Sequence, residues 1–143
     1  MVNNRPKILL VVRAVIVDGG KVLLIKRSGD DRWEPGRWEI PGGKLDSGQS
    51  VLGVAQREVK EEAGLVIKVG RSEIFTFSDK KAIETGKYKG HYYLTLIFKT
   101  SNFSGKLRVG PEHEDSKWVT QEDAFKLKLT GETRKILHFL VKR

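Results

Sequence analysis

The chain is 143 residues long, 38% apolar, and contains no cysteine. That length suits a single domain over residues 1–143 with a core that needs no covalent staple, and the missing thiols exclude a disulfide framework, a thiolate zinc site and a cysteine nucleophile while fitting a reducing, cytoplasmic setting. The formal charge of +9, from 27 basic and 18 acidic side chains, favours polyanionic partners; because no arginine-rich tract, zinc-finger or helix-turn-helix signature gathers the basic residues, phosphate-rich small molecules rank ahead of RNA.

The opening Met-Val-Asn-Asn-Arg-Pro-Lys lacks the pattern of a signal peptide, and no apolar run reaches the length of a membrane span, so no membrane partner is expected. Ile8 to Val17 is rich in β-branched residues, Asp18-Gly19-Gly20 signals a turn, and Lys21 to Lys26 resumes an apolar run, which predicts a hairpin. The polar stretch from Ser28 to Arg37, with Gly29, Pro35 and Gly36, reads as a loop leading into a short strand at Trp38 to Ile40. A helix is expected from Ser50 to Ala63, with Val51, Leu52, Ala55, Val59 and Ala63 as its buried stripe. Leu65 to Phe77 reads as one strand, Ser78 to Gly90 as a lysine-rich loop, and His91 to Thr100 as the next strand. An edge strand around Lys106 to Val109 and a short strand at Asp115 to Val119 follow. Thr120 is an expected N-cap, and Gly131 to Val141 a final helix with Ile136, Leu137, Leu140 and Val141 on its apolar face. Strands first, one helix between strands and helices last predict an α/β fold, a mixed sheet with helices packed on it.

The helix beginning at Ser50 carries Glu58, Glu61 and Glu62, three and four residues apart, so their carboxylates are expected on one exposed stripe. Repulsion between Glu58 and Glu62 costs an isolated helix roughly 0.2–0.5 kcal/mol, and a hard cation bound between them would turn that into attraction. An ordinary solvated helix accounts for an ion pair from Arg57 to Glu61. It does not account for Pro41-Gly42-Gly43 before the helix and Gly64 after it, which suggest a backbone shaped for close approach and a helix cap.

From Gly43 to Leu65 the chain resembles the Nudix box, whose pattern is Gly, five residues, Glu, seven residues, then Arg-Glu-apolar-x-Glu-Glu-x-Gly-apolar. Gly43, Arg57, Glu58, Val59, Glu61, Glu62, Gly64 and Leu65 match in register, and Gln49 stands where the family usually has Glu. So many typed positions at fixed spacing make a specific signal. The resemblance implies the family's α/β/α sandwich, with a mixed β-sheet and a catalytic loop-helix-loop. It also implies hydrolysis of a nucleoside diphosphate linked to another group. A nucleoside triphosphate split into monophosphate and pyrophosphate is preferred, because few residues precede the first strand whereas ADP-ribose-type members often carry an extra N-terminal region. ADP-ribose, dinucleotide or capped-RNA hydrolysis, and a Nudix-like sensor that binds a nucleotide without cleaving it, are the alternatives, the protein acting as a monomer or homodimer.

Carried over position by position, the resemblance implies Mg2+, or Mn2+, held by Glu58, Glu61, Glu62 and the backbone carbonyl of Gly42, an all-oxygen set suited to those cations. Arg57 would orient the carboxylates, and Gln49 could accept a hydrogen bond from it while bringing no charge. Glu112, with Glu114 as its alternative, is the expected base or further ligand from the loop Pro111-Glu112-His113-Glu114, and the role of base stays open among Glu58, Glu61 and Glu112. His113 would orient or bind substrate. Arg13 and Arg27 on the hairpin and Lys44 beside the glycines are expected phosphate contacts. Trp33, in its polar loop, is an expected stacking platform, an interaction of about 1–3 kcal/mol per base; for Trp38, Phe77 and Tyr93 core packing is the commoner explanation.

Overall fold

The structure is a computed structural model that describes residues 4–69, 74–78 and 81–141, with only the backbone of residues 74–78 and of Val141. Strand β1 (Ile8–Asp18) and strand β2 (Lys21–Arg27) form the expected hairpin about Gly19 and Gly20, whose φ angles of 55° and 78° make the turn. Only Val17↔Val22 and Asp18↔Lys21 pair across it. Beyond the turn the two strands diverge, and each takes other partners. Strand β1 is joined in parallel by β7 (Tyr92–Thr100) and in antiparallel sense by β4 (Gly42–Lys44), while β2 pairs antiparallel with β3 (Trp38–Glu39) and β9 (His113–Thr120). Strand β6 (Ile74–Ser78) pairs with the outer side of β7. One parallel pairing among antiparallel ones makes the sheet mixed.

The segment from Glu39 to Gly42 crosses the split between β1 and β2. It leaves β3 on the β2 side and enters β4 on the β1 side, pinned by a 3.0 Å bond from the Ala14 N–H to the Pro41 carbonyl. The glycines expected in a loop therefore lie in a strand. Their lack of side chains is used sterically: a Cβ on Gly42 would lie 2.3 Å from the Val12 carbonyl oxygen, and one on Gly43 would lie 2.6 Å from Cδ of Glu58.

Alternation along β1 and β2 divides the core between the two faces of the sheet. Val12, Ala14, Ile16 and Leu23 pack with Val54, Ala55, Val59 and Ala63 of helix α1 (Val51–Ala63). Val15, Val22 and Leu24 pack with Ala124 of the short helix α2 (Gln121–Ala124) and with Ile136 and Leu137 of helix α3 (Gly131–Val141). This is the α/β/α sandwich. Full burial of side chains such as Val59 and Ile136 contributes about 1.5–3 kcal/mol each. On α1, Val54 is buried and Val51 only half-buried, so the apolar stripe is rotated from the expected one.

Helix α1 starts where Ser50 accepts a 3.0 Å bond from the Gly53 N–H, and ends where Gly64, at φ 74°, donates to the Lys60 carbonyl. Thr120 caps α2 as expected, accepting from the Asp123 N–H at 3.1 Å. Three other expectations change. Leu65–Phe77 is two strands in different sheets: β5 (Leu65–Ile67) leaves the main sheet to pair with β8 (Phe103–Gly105). The edge strand expected at Lys106–Val109 is β8 itself, a few residues earlier, while residues 106–109 cross the end of α1 and carry the bond from Arg108 N to the Ala63 carbonyl at 2.9 Å. Strand β9 begins at His113, so the loop expected to hold that residue ends one position before it. The side chains of Phe77 and Val141 lie outside the described residues. Among the described residues no helix is long and apolar enough to cross a membrane.

Candidate active site

The split in the sheet brings three cationic or imidazole groups around one buried carboxylate. Glu39 is 5% exposed. It sits 3.2 Å from Arg27 Nη1, 3.8 Å from Arg13 Nη1 and 3.0 Å from His113 Nε2. The β2–β9 bulge at Lys26/Arg27 sets Arg27 opposite His113, which is how both reach the same acid. Burial opposes the charge of Glu39, yet the hydrogen bond from His113 and the charges of Arg13 and Arg27 hold its pKa below the usual carboxylate range. An ionised carboxylate only accepts, so His113 Nε2 carries the proton. Its Nδ1 is buried and makes no hydrogen bond.

The acidic helix face differs from one exposed stripe. Glu61 is exposed, with 62% of its side chain accessible, whereas Glu62 is buried. Burial first, then a hydrogen bond to Glu58 and the charge on Glu58, push the Glu62 carboxyl up to about 10. His113 Nε2 lies 4.0 Å from Glu62 Oε2. Arg57 binds Glu58 Oε1 through Nη2 at 3.0 Å and lies 3.9 Å from Glu61, and the bond to Glu58 keeps its own pKa raised. Gln49 does not serve Arg57: its side-chain oxygen accepts from the Asp46 N–H at 2.9 Å and closes the turn before α1.

Two neighbouring carboxyls, Glu58 and the buried Glu62, with the Gly43 backbone pressed against Glu58, are an oxygen donor set that fits a hard divalent cation. Among the described residues no three His, Cys, Asp or Glu side chains form a closed ligand cluster.

Of the expected substrate contacts, Arg13, Arg27 and Lys44 line one cavity of about 410 Å³ together with Glu39, Gly42, Gly43, Arg57, Glu58 and Glu62. Arg13 is committed within the protein. It binds Glu132 through Nε and donates to the Ile40 carbonyl at 2.8 Å; burial lowers its pKa, but Glu132 and then Glu39 outweigh that and raise it. Thr95 Oγ1 donates to the same Glu132 at 2.9 Å. Arg27 also binds Asp31, at 2.7 Å, and the Trp33 carbonyl, at 2.8 Å. Lys44 Nζ lies 4.9 Å from the centre of the Tyr88 ring. Trp33 is 71% exposed, whereas Trp38 is buried in the core under Lys117. Tyr93, half-buried, is pushed up to about 12 by burial and by Glu132. Glu112 is exposed on a rim it shares with His113, and Glu114 turns away to Gly29 N and Lys26.

Sequence reasoning missed Glu39, Glu132 and Arg108. A carboxylate between Trp38 and Ile40 in a short buried strand was a legible sign, because a buried charge requires partners. Glu132 carried only the ordinary signature of an acid in a first helical turn.

The NUDIX domain family pattern matches residues 7–140 of the chain. The nucleoside triphosphatase NudI of Escherichia coli strain SE11 is 31% identical over 130 residues, covering 89% of this chain and 92% of that protein. Among solved structures, the MutT NUDIX hydrolase from Burkholderia pseudomallei superposes with a TM-score of 0.75 at 30% identity, covering 92% of this chain and 97% of that one. The MutT protein from Methanosarcina mazei Go1 shares the fold with a TM-score of 0.77 at 22% identity over 98% of this chain and 97% of its own. With the box helix in register as α1 and its acids Glu58 and Glu62 lining the cavity at the split in the sheet, the chain belongs to the Nudix family and is a Nudix hydrolase.

Proposed function

We propose that the chain, with residues 1–143 acting as one domain in the cytoplasm, hydrolyses a nucleoside triphosphate to monophosphate and pyrophosphate with Mg2+ or Mn2+. The observation that carries this is the buried Glu62 carboxyl beside Glu58, both on the wall of one cavity with the basic residues, where a divalent cation would join the pair. That pair opens into a cavity lined by Arg13, Arg27, Lys44 and Arg57, as a polyphosphate requires. The name of the NudI relatives, nucleoside triphosphatase, supports the choice of substrate class.

Glu58, Glu61, Glu62 and the Gly42 carbonyl would hold the cation, which when bound supplies Lewis-acid charge neutralisation at the phosphoryl group. Arg57 fixes the rotamer of Glu58 through their 3.0 Å bond. Lys44 reaches phosphate from the strand beside the acids, and Trp33 stacks on the base. Arg13 and Arg27, held by Glu132, Glu39 and Asp31, contribute field and shape more than free donors. Water attacks phosphorus, the bridging P–O bond breaks with its electron pair on the leaving oxygen, and a carboxylate takes the water proton. Glu112, exposed on the rim, is the preferred acceptor because it can pass the proton to solvent.

The test is turnover of a panel of nucleoside triphosphates, ADP-ribose, dinucleoside polyphosphates and capped RNA with Mg2+, with products resolved by chromatography. Release of monophosphate and pyrophosphate from a triphosphate supports the proposal. Cleavage of a different panel member alone would replace the substrate, and tight binding without turnover would favour a sensor.

A further inference from the structure

A second cavity, of about 310 Å³, adjoins the first and is lined by Glu58, Glu61, Glu62, Arg108, Glu112 and His113, with Gly110 and Pro111. Glu58, Glu62, Glu112 and His113 line both spaces, so the acid pair stands between two chambers. The chambers differ in their cations. In the first, Arg13, Arg27 and Arg57 are each bound to carboxylates. In the second, Arg108 is exposed, and among the described residues its guanidinium makes no ion pair and no hydrogen bond.

Arg108 is nevertheless held in place. Its N–H donates to the Ala63 carbonyl at 2.9 Å, and its stem lies on the bare face of Gly64, where a Cβ would meet Arg108 Cγ at 2.6 Å. A cation at the end of α1 also complements the helix dipole. That accounts for the charge, but not for a walled chamber shared with the acid pair.

We propose that Arg108 binds the outermost phosphate of a triphosphate, in the second chamber, and holds the pyrophosphate that departs. The nucleoside-bearing phosphate occupies the first chamber, next to the Trp33 loop that supplies Asp31 to its wall. Water attack at the bridge between the first and second phosphates breaks one bridging P–O bond, the electron pair staying on the oxygen that leaves, and yields the nucleoside monophosphate and pyrophosphate. Arg108 donates charge-assisted hydrogen bonds to the non-bridging oxygens of that fragment. This inference rests on the proposed triphosphate reading and adds a residue that distinguishes triphosphates from diphosphates.

The experiment compares the wild-type chain with Arg108→Gln, which keeps the stem over Gly64, and with Lys128→Gln, which removes one charge from an exposed site elsewhere. Pyrophosphate binding is measured by calorimetry with Mg2+, and KM is measured for a nucleoside triphosphate and its diphosphate. Arg108→Gln is expected to weaken pyrophosphate binding and raise the triphosphate KM about tenfold, leaving the diphosphate KM unchanged. Lys128→Gln is expected to match wild type, and Arg108→Lys, which keeps the charge but loses the planar fork, to fall between. Triphosphate turnover with equal pyrophosphate binding by wild type and Arg108→Gln overturns the role of Arg108 and leaves the proposed function standing. No triphosphate turnover, with pyrophosphate binding lost in Arg108→Gln, overturns that function and retains the phosphate site.

Discussion

His113 Nε2 lies 3.0 Å from Oε2 of Glu39 and 4.0 Å from Oε2 of Glu62, so one imidazole separates a carboxylate held charged from one held neutral. Replacing it by Ala leaves a buried acceptor without its donor. His113→Ala is expected to lose about 1–3 kcal/mol in urea unfolding, and His113→Gln, which keeps a donor, to lose less. Equal losses would show that packing, not the hydrogen bond, is what His113 supplies.

The two acids give pH dependences of opposite sign. Glu39 has its folded pKa below the ordinary 4.5, so its stabilisation is present above that value and is lost as pH falls through the folded one. Glu62 keeps its proton from 4.5 to about 10 in the native state while the unfolded chain has released it, so stability falls as pH rises across that window. Calorimetric melting of the metal-free chain should therefore show Tm declining from about pH 6 to about pH 9. Mg2+ should reduce the decline, and Glu62→Gln should flatten it. A Tm that rises with pH over this range in the metal-free wild type would contradict the neutral state of Glu62.

Glu61→Gln and Glu62→Gln each take away a carboxylate that a bound cation would need, with little change in shape, and each is expected to suppress turnover by at least about 100-fold. Their stabilities should part company. Glu61 is mostly exposed, so its variant should stay within about 0.5 kcal/mol of wild type. Near-native rates in both variants would sink the metal assignment.

Gln49→Glu keeps the acceptor that closes the turn at Asp46 and adds a negative charge ahead of α1. The Mg2+ concentration for half-maximal rate is expected to fall. An unchanged or raised requirement would mean that this position acts only on the turn.

Gly42→Ala and Gly43→Ala should separate stability from activity. A Cβ on Gly42 meets backbone, the Val12 carbonyl oxygen at 2.3 Å, which cannot yield, so a loss of about 1–3 kcal/mol is expected in denaturant titration. On Gly43 the clash is with the Glu58 carboxyl, which can rotate away. Turnover should fall there with a smaller change in stability.

Much of the architecture was legible because it is local. The hairpin followed from β-branched runs about Asp18-Gly19-Gly20, α1 from its apolar spacing between Ser50 and Gly64, and α3 from Ile136 and Leu137. Strand boundaries between residues 65 and 109 were not, because β5 and β8 are short and are defined by each other across the chain.

The box itself, with Arg57, Glu58, Glu61 and Glu62 at fixed spacing after Gly43, was determined by the sequence alone, since residue type and helical period suffice to bring those groups together. Which of them is buried was a tertiary matter. Glu62 is buried because the segment carrying Arg108 and Gly110 crosses the end of α1, bonding to the Ala63 and Glu62 carbonyls, and His113 faces its carboxyl. The network of Glu39 with Arg13, Arg27 and His113 exists only because β1 and β2 part beyond their turn, and the opening gathers charges far apart in sequence. Burial and ion pairing act through space, so the apolar neighbours of Glu39 could signal a buried charge in the sequence but not which residues would pair with it.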